Sequence, residues 1–298
     1  MAGVGDPVFR GICASFGADL TYTEMVSAKG LAYGSGRTEG LLASGEGERR
    51  VAVQLFGREP EVLAEQARRL ESRHRGRIGL IDVNMGCPAR KVAGKGEGAA
   101  LMREPALAGR ILRAVVESVS LPVTVKFRKG YELGEDSAVE FARMAESCGV
   151  AAVTVHGRTA RQLYHGQSDR EVVSRVVQAV AVPVIASGDV FTCEDIREYR
   201  ERHGARAVMV ARGARGNPWI FSDAFSDAGP TTEERVRVAH EHTVGLARLA
   251  PHRLAGMRRH IAWYFKGTPH AGAIRRAVCD CACLQDYEAL LEQILAWR

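Results

Sequence analysis

Three short runs of β-branched and apolar residues stand between positions 122 and 187: PVTVKF (122–127), AAVTVH (151–156) and VPVIAS (182–187). Two longer segments, at 136–148 and 169–180, separate these runs and carry their apolar residues at helical spacing. Short strands that alternate with longer helices are typical of βα units around a parallel sheet. This part of the chain therefore predicts an α/β fold.

The same alternation extends in both directions, from residue 6 to about residue 221. Further strands are predicted at 18–23, 51–55, 79–84 and 206–211, which makes seven, and further helices at 61–73, 105–118 and 193–203. A length of 298 residues suits one (β/α)8 barrel of roughly 250 residues with a small appendage. The predicted fold is a (β/α)8 TIM barrel at 1–229 that lacks its first strand, followed by a small C-terminal helical-bundle domain at 230–298.

Composition and charge narrow the class of protein. Hydrophobic residues make up 46% and charged residues 26% of the chain, as in soluble globular proteins. No run approaches the ~18 apolar residues of a membrane helix, and the N-terminus lacks a secretion signal, so we expect a cytoplasmic protein without a membrane partner. The net charge of +6 is concentrated at 245–279, a segment that contains arginine and lysine but no acidic residue. This basic segment indicates a polyanionic partner.

Polar residues stand at the end of each predicted strand or just beyond it. These positions carry catalysis in a βα barrel, and a stabilising core does not need them, so they indicate a bound ligand. They are Glu24, Gln54, Asn84 with Cys87, Lys126 with Arg128, His156 with Arg158, Ser187–Gly188–Asp189, and Arg212 with Gly213.

The last two strand ends predict a phosphate site. Gly188 and Gly213 allow backbone N–H groups to approach an anion closely, and Arg212 adds a charge. Lys126 suits either a Schiff base or a cation beside an electron-rich cofactor ring. Arg128 is expected to help keep its ammonium charged, which favours the second use. His156 suits a donor to the cofactor or phosphate, or a structural histidine.

The segment DVNMGCP at 82–88 is the sharpest local feature, because a strand runs into a tight bend that displays Cys87. This position on a strand-end loop favours a reactive thiol that serves as a general acid. The odd total of seven cysteines argues against structural disulfides. The run CDCAC at 279–283 cannot bring Cys279, Cys281 and Cys283 to one helix face, so no metal site is predicted.

Taken together, the chain resembles the tRNA-dihydrouridine synthases, most closely their bacterial B-type branch. The resemblance runs nearly from end to end, and NMGCP with the downstream VHGRT is its most specific part. The matching segments include MAGVGDPVFR (1–10), DVNMGCPARKV (82–92), PVTVKFRKG (122–130), VHGRTARQLYHG (155–166), VMVARGARGNPWIF (208–221) and HIAWYFKG (260–267).

The resemblance implies an FMN enzyme that reduces D-loop uridines of tRNA to dihydrouridine with NADPH. Hydride would pass from flavin N5 to uracil C6, and Cys87 would protonate C5. The helical domain would bind tRNA. No protein partner is implied, and the oligomeric state is left open. The implied cofactor-binding residues are Met1, Ala2, Gln54, Lys126, His156, Gly188, Asp189, Ala211, Arg212 and Gly213. The implied substrate-binding residues are Asn84, Lys91, Arg128 and Arg158.

Other functions stay open at this point. They are a flavin barrel acting on a small pyrimidine, in the manner of a dihydroorotate dehydrogenase, a class I aldolase working through Lys126, and a non-catalytic tRNA-binding protein. Relatives in the resembled family carry residues before the MAGV motif, including the first strand. We therefore expect an upstream extension that reads as an apolar strand.

Overall fold

The computed structural model describes residues 1–222 and 229–297. Residues 223–228, in the polar stretch that precedes the predicted helical domain, and Arg298 lie outside the described residues. The chain forms two compact units. The sheet unit comprises Tyr22–Ala43 and Arg49–Arg212, and the helical unit comprises Met1–Thr21, Ser44–Glu48 and Gly213–Arg298.

One eight-stranded sheet, in the order β1-β3-β4-β5-β6-β7-β8 with β2 beside β3, organises the sheet unit. Its pairs from β2–β3 to β7–β8 are parallel. The strands are β1 Thr21–Tyr22, β2 Val26–Ser27, β3 Val51–Phe56, β4 Ile78–Met85, β5 Val123–Gly130, β6 Ala152–Thr159, β7 Val184–Ser187 and β8 Ala207–Met209.

Helices alternate with these strands along the chain. Parallel strands that alternate with helices confirm the predicted fold class. In the sheet unit the helices are α2 Ala28–Ala32, α3 Gly36–Glu39, α4 Pro60–Arg73, α5 Arg90–Ala93, α6 Pro105–Ser118, α7 Ala138–Ser147, α8 Glu171–Ala179 and α9 Cys193–Glu201, with 3-10 turns at Gly40–Leu42 and Gly98–Arg103.

The core of the sheet unit lies where the strands meet these helices, because both contribute fully buried aliphatic side chains, such as Val53 and Val125 from strands and Leu63 from a helix. A glutamate side chain fixes each of the loops that precede β5 and β7. Glu71 on α4 accepts hydrogen bonds from the backbone N–H groups of residues 120 and 121, and Glu146 on α7 accepts them from residues 181 and 182. These contacts set where β5 and β7 begin.

The strand prediction is wrong in one omission and in several bounds. The strands predicted at 18–23 and 206–211 are shorter, Thr21–Tyr22 and Ala207–Met209. The predicted strands at 122–127 and 151–156 end too early, because β5 and β6 keep pairing through Arg128 with His156 and Gly130 with Thr159. Their charged residues are typical of a loop, but here they lie within the sheet. The two-residue strand Val26–Ser27 was not predicted, since so short a strand has no periodicity to detect.

The helical unit contains α1 Pro7–Ser15, α10 Thr232–Leu249, α11 Met257–Tyr264, α12 Ala271–Ala277 and α13 Leu284–Ala296, with 3-10 turns at Arg212–Ala214, Pro218–Phe221 and Pro251–Gly256. The described residues after residue 221 contain no strand, as predicted. The assignment of residues 1–229 to catalysis and 230–298 to tRNA binding stays a prediction. In the described part of the chain, no helix is long and apolar enough to cross a membrane.

A buried polar chain links α1, α10 and α11 within the helical unit. Asp6 caps α1 by accepting hydrogen bonds from Val8 N and Phe9 N, and its Oδ2 lies 3.1 Å from His242 Nε2. The hydroxyl of Tyr264 lies 3.0 Å from the other ring nitrogen of His242, and His260 Nε2 lies 3.5 Å from Asp6. Among the described residues this is the one cluster spaced for a metal ion. Its Asp6 and His242 atoms already have hydrogen-bond partners, and the prediction of no metal stays a prediction.

Candidate active site

The predicted site residues of the sheet unit gather at the carboxyl ends of β3 to β7. A buried hydrogen-bond chain crosses three strands there. Thr124 Oγ1 donates to Asp82 Oδ1 at 2.6 Å, and Gln54 Nε2 donates to Asp82 Oδ2 at 2.6 Å. Asn84 Nδ2 then donates to Gln54 Oε1 at 2.8 Å. These hydrogen bonds fix the amide planes of Gln54 and Asn84. Gln54 is predicted to bind the cofactor, and Asn84 the substrate.

Asn84 also shapes the loop that carries Cys87. Its Oδ1 accepts hydrogen bonds from Gly86 N at 3.2 Å and Cys87 N at 2.9 Å, which bends the chain directly after β4. Arg128 Nε donates to Gly86 O at 2.9 Å from the neighbouring strand. The carbonyl of Cys87 accepts a hydrogen bond from Ala99 N at 3.0 Å. The half-buried thiol therefore stands on a loop that is held from both sides.

Lys126 lies on β5, between β4, which carries Asn84, and β6, which carries His156. Burial and the positive charge of Arg128 lower the pKa of its ammonium to about 8, although Asp82 opposes the shift. The expectation that Arg128 keeps Lys126 charged is therefore wrong, because a neighbouring like charge favours the neutral amine. No hydrogen bond joins Lys126 Nζ to a described residue. This amine is thus available to a ligand.

His156 follows on β6 and is neutral. Burial, together with the charges of Lys126, Arg128, Arg158 and Arg212, holds its pKa well below the usual range. Arg158 Nη1 approaches His156 Nε2 at 3.5 Å, so Nε2 faces a donor and the ring proton belongs on Nδ1. Four cationic side chains therefore surround this imidazole, and the predicted anion site at this edge of the sheet stays a prediction.

Gly188 lets the turn after β7 pack closely against Ser168 and His156. Its φ of +118° is rare for other residues, and a Cβ here would lie 2.3 Å from Ser168 Oγ and 2.7 Å from His156 Cδ2. The carbonyl of Gly188 accepts a hydrogen bond from Tyr199 at 2.8 Å. The turn is therefore packed so closely that only glycine fits, and its role in phosphate binding stays a prediction.

Substitution of Gly188 by alanine is expected to weaken anion binding at this turn by at least about tenfold, because the added methyl group would displace Ser168 and His156 and the backbone is strained. The measurement is the dissociation constant for FMN, the cofactor that the resemblance implies, by fluorescence quenching. Gly76→Ala is the matched control, since Gly76 also has a positive φ, of +82°, but its Cβ would meet no described atom within 4 Å. Equal losses in the two variants would contradict this role of Gly188.

The remaining predicted residues are placed as follows. Lys91 is exposed on α5, and Ala211 and Arg212 are half-buried after β8. Met1, Ala2 and Gly213 belong to the helical unit, where Met1 and Ala2 are exposed and Gly213 is buried in a 3-10 turn. All of these assignments stay predictions.

Two contributors to the site were not predicted from the sequence. Asp82 accepts the hydrogen bonds from Gln54 and Thr124 in the buried hydrogen-bond chain of the site. An acidic residue within an apolar strand is the sequence signal that could have identified it. Tyr164 lies between two cations, with Arg212 4.6 Å and Arg128 5.7 Å from its ring centre. No local pattern marks this tyrosine, because the contacts come from distant strands.

Comparisons with known proteins show which family the chain belongs to. A family model described as "Dihydrouridine synthase (Dus)" matches residues 1–296. The chain is 38% identical over 288 residues to a "Probable tRNA-dihydrouridine synthase" of Rickettsia conorii, covering 93% of this chain and 86% of that protein. It is also 38% identical over 288 residues to "tRNA-dihydrouridine synthase B" of Pseudomonas aeruginosa, covering 92% of this chain and 85% of that protein. The chain therefore belongs to the dihydrouridine synthase family.

Proposed function

We propose that the protein is a flavin-dependent tRNA-dihydrouridine synthase, which reduces a D-loop uridine of tRNA with FMN as cofactor and NADPH as reductant. The observation that carries the proposal is the half-buried Cys87 on its fixed loop, beside a group of cationic side chains, in a chain of this family. The relatives named above are tRNA-dihydrouridine synthases by name, which supports the same substrate class.

The sheet unit fits an FMN molecule in two respects. The cationic side chains around His156, among them Arg212 after β8, suit a doubly charged phosphate. Lys126 offers an ammonium without a hydrogen-bond partner among the described residues, which suits the electron-rich edge of a flavin ring. When bound, the flavin supplies the hydride that reduces the uracil at C6.

The protein's own residues supply the proton and the orientation. Reduction at C6 leaves negative charge on C5 and the neighbouring carbonyl, and the thiol of Cys87 donates its proton to C5, leaving a thiolate. General acid catalysis of this kind contributes about 10²–10⁴-fold to a rate. Asn84 fixes the Cys87 loop through its Oδ1, so the thiol is held at one position while the base is bound.

The helical unit fits the proposed RNA partner. The acid-free segment 245–279 presents basic side chains to solvent: Arg248, Arg258, Arg259, Lys266, Arg275 and Arg276 are exposed. Phosphate contacts from such a surface release counterions, so tRNA binding should weaken steeply with salt. A small pyrimidine as substrate would not use this surface, which makes the dihydroorotate-dehydrogenase-like alternative the weaker proposal.

The proposal is tested by loading the purified protein with FMN and supplying NADPH and tRNA that lacks dihydrouridine. We expect flavin absorbance, NADPH oxidation and dihydrouridine in the product. Salt-sensitive tRNA binding without any uptake of flavin would indicate the non-catalytic tRNA-binding protein instead. Trapping of a carbonyl substrate on Lys126 by borohydride would indicate an aldolase.

The pKa of Lys126, about 8, predicts a pH dependence of FMN affinity. The charged amine binds the anionic cofactor, so affinity is full below this pKa and falls as pH rises through it. We expect the dissociation constant at pH 9.5 to exceed that at pH 7 by at least about tenfold. Lys126→Met should bind weakly with a flat profile over this range, and an unchanged slope in this variant would show that another group titrates.

A further inference from the structure

Asp189 is the point where the arginines of the site converge. Arg158 donates to both of its oxygens, from Nη1 at 2.8 Å and from Nη2 at 2.6 Å, and Arg212 Nη2 donates to Oδ1 at 2.6 Å. Ser168 N donates to Oδ2 at 2.8 Å. Asp189 itself has a φ of +48°, so the turn after β7 is bent to point this carboxylate at the two guanidinium groups.

The hydrogen-bonding capacity of Arg158 is used up within the protein. Besides Asp189, Nε donates to His165 O at 3.2 Å and Nη2 donates to Gly166 O at 2.5 Å, and Nη1 approaches His156. A guanidinium has five N–H donors, and these contacts engage all of them. Arg158 is also only 2% exposed. A side chain in this state holds its own loop in place rather than a substrate.

The loop held in this way, residues 160–168, follows β6 and is called the rim loop below. Its exposed Tyr164 lies 4.6 Å from Arg212 at the ring centre, and Arg128 Nη1 donates to Leu163 O at 2.9 Å. The rim loop, Arg158 and Arg212 therefore all donate hydrogen bonds to the carboxylate of Asp189. Without this carboxylate, the positive charges of the two guanidinium groups would face each other uncompensated.

We propose that Asp189 is a positioning residue that does not itself touch the cofactor: its carboxylate fixes Arg158, and with it the rim loop, and sets the guanidinium of Arg212 toward the flavin phosphate. The part concerning Arg212 rests on the proposed function, whereas the part concerning the rim loop does not. Charged hydrogen bonds that are bidentate give both geometric and energetic specificity, which suits such a role.

The loop is tested in the protein without flavin, by limited trypsin digestion at the exposed Arg161 of the rim loop. Asp189→Asn is expected to raise the cleavage rate after Arg161 by at least about tenfold, because the loop opens more often. Glu104→Gln is the matched control, since Glu104 forms a two-point pair with Arg58 at 2.6 and 2.8 Å that does not involve the rim loop. A cleavage rate in Asp189→Asn within twofold of the parent overturns the proposal.

The link to the phosphate is tested by comparing FMN with riboflavin, which lacks the phosphate. Asp189→Asn should raise the dissociation constant for FMN by about tenfold and leave that for riboflavin nearly unchanged, and it should add nothing in an Arg212→Gln background. Equal losses for both ligands would show a general structural defect and overturn the positioning of Arg212.

The two readouts separate the proposals. If the parent protein binds no flavin but Asp189→Asn loosens the rim loop, the proposed function fails and the anchoring of the loop stands. If Asp189→Asn does not fold, Arg158→Lys replaces it, because lysine keeps the charge but cannot reach both oxygens of Asp189 and the two loop carbonyls. Unchanged cleavage after Arg161 in Arg158→Lys overturns the proposal as well.

Discussion

Replacement of Cys87 by alanine is expected to lower the rate of dihydrouridine formation by about 10²–10⁴-fold while FMN and tRNA still bind. The thiol is the proposed proton donor to C5, and its loop is held by Asn84, Arg128 and the backbone of residue 99, none of which bonds to the sulfur. The alanine variant should therefore keep the shape of the site. Single-turnover kinetics with flavin reduced beforehand measure the chemical step directly.

Cys279→Ala is the control for Cys87, because Cys279 is an exposed cysteine of the helical unit. It should form dihydrouridine at the parent rate. Flavin in the Cys87→Ala variant should still be reduced by NADPH, since that step does not use the thiol. Product formation at the parent rate in Cys87→Ala would remove Cys87 from the mechanism.

Replacement of Asp6 by alanine is expected to lower the free energy of unfolding by about 3–5 kcal/mol, because it removes the cap of α1 and the hydrogen-bond partner of Nε2 of buried His242. Urea denaturation measures the loss. Asp19→Ala is the control, since Asp19 is exposed in the same unit and its removal should change stability by less than about 0.5 kcal/mol. A comparable, small change in both variants would contradict the role given to the buried chain.

The pH dependence of this contribution has a definite sign. Burial opposes the ionisation of Asp6 and is the largest single influence, but His242, His260 and the hydrogen bond from Phe9 N together hold the pKa of the carboxyl well below its usual range. A carboxyl with a lowered pKa stabilises the folded state above its unfolded pKa of about 4 and loses this contribution as the pH falls further. The stability of Asp6→Ala should accordingly vary less with pH below about 4 than that of the parent.

The sequence predicts the parallel sheet well, and it predicts which polar side chains gather at one edge of that sheet, for a physical reason. The alternation of apolar strands and helices is local, and the carboxyl ends of parallel strands meet at one edge. Polar residues such as Asn84, Lys126 and His156 at those ends therefore had to converge. Helices α4 and α6 begin at Pro60 and Pro105, where proline at the first turn is a local signal.

What the sequence does not predict depends on contacts between distant residues. Arg128 and Arg158 were expected to face a ligand, but their guanidinium groups are held by carbonyls and a carboxylate from other loops. The like-charge effect of Arg128 on the pKa of Lys126 requires the burial of both. The grouping of residues 1–21 with the C-terminal helices follows from the buried chain of Asp6, and no periodicity in the N-terminal segment indicates it.

The most direct measurement is mass-spectrometric mapping of dihydrouridine in tRNA from a host that lacks dihydrouridine synthases, complemented with this chain or with its Cys87→Ala variant. We predict that the parent chain restores dihydrouridine at D-loop uridines and that the variant does not. Absence of dihydrouridine with the parent chain, when the protein is present and flavin is bound, would contradict the proposed function.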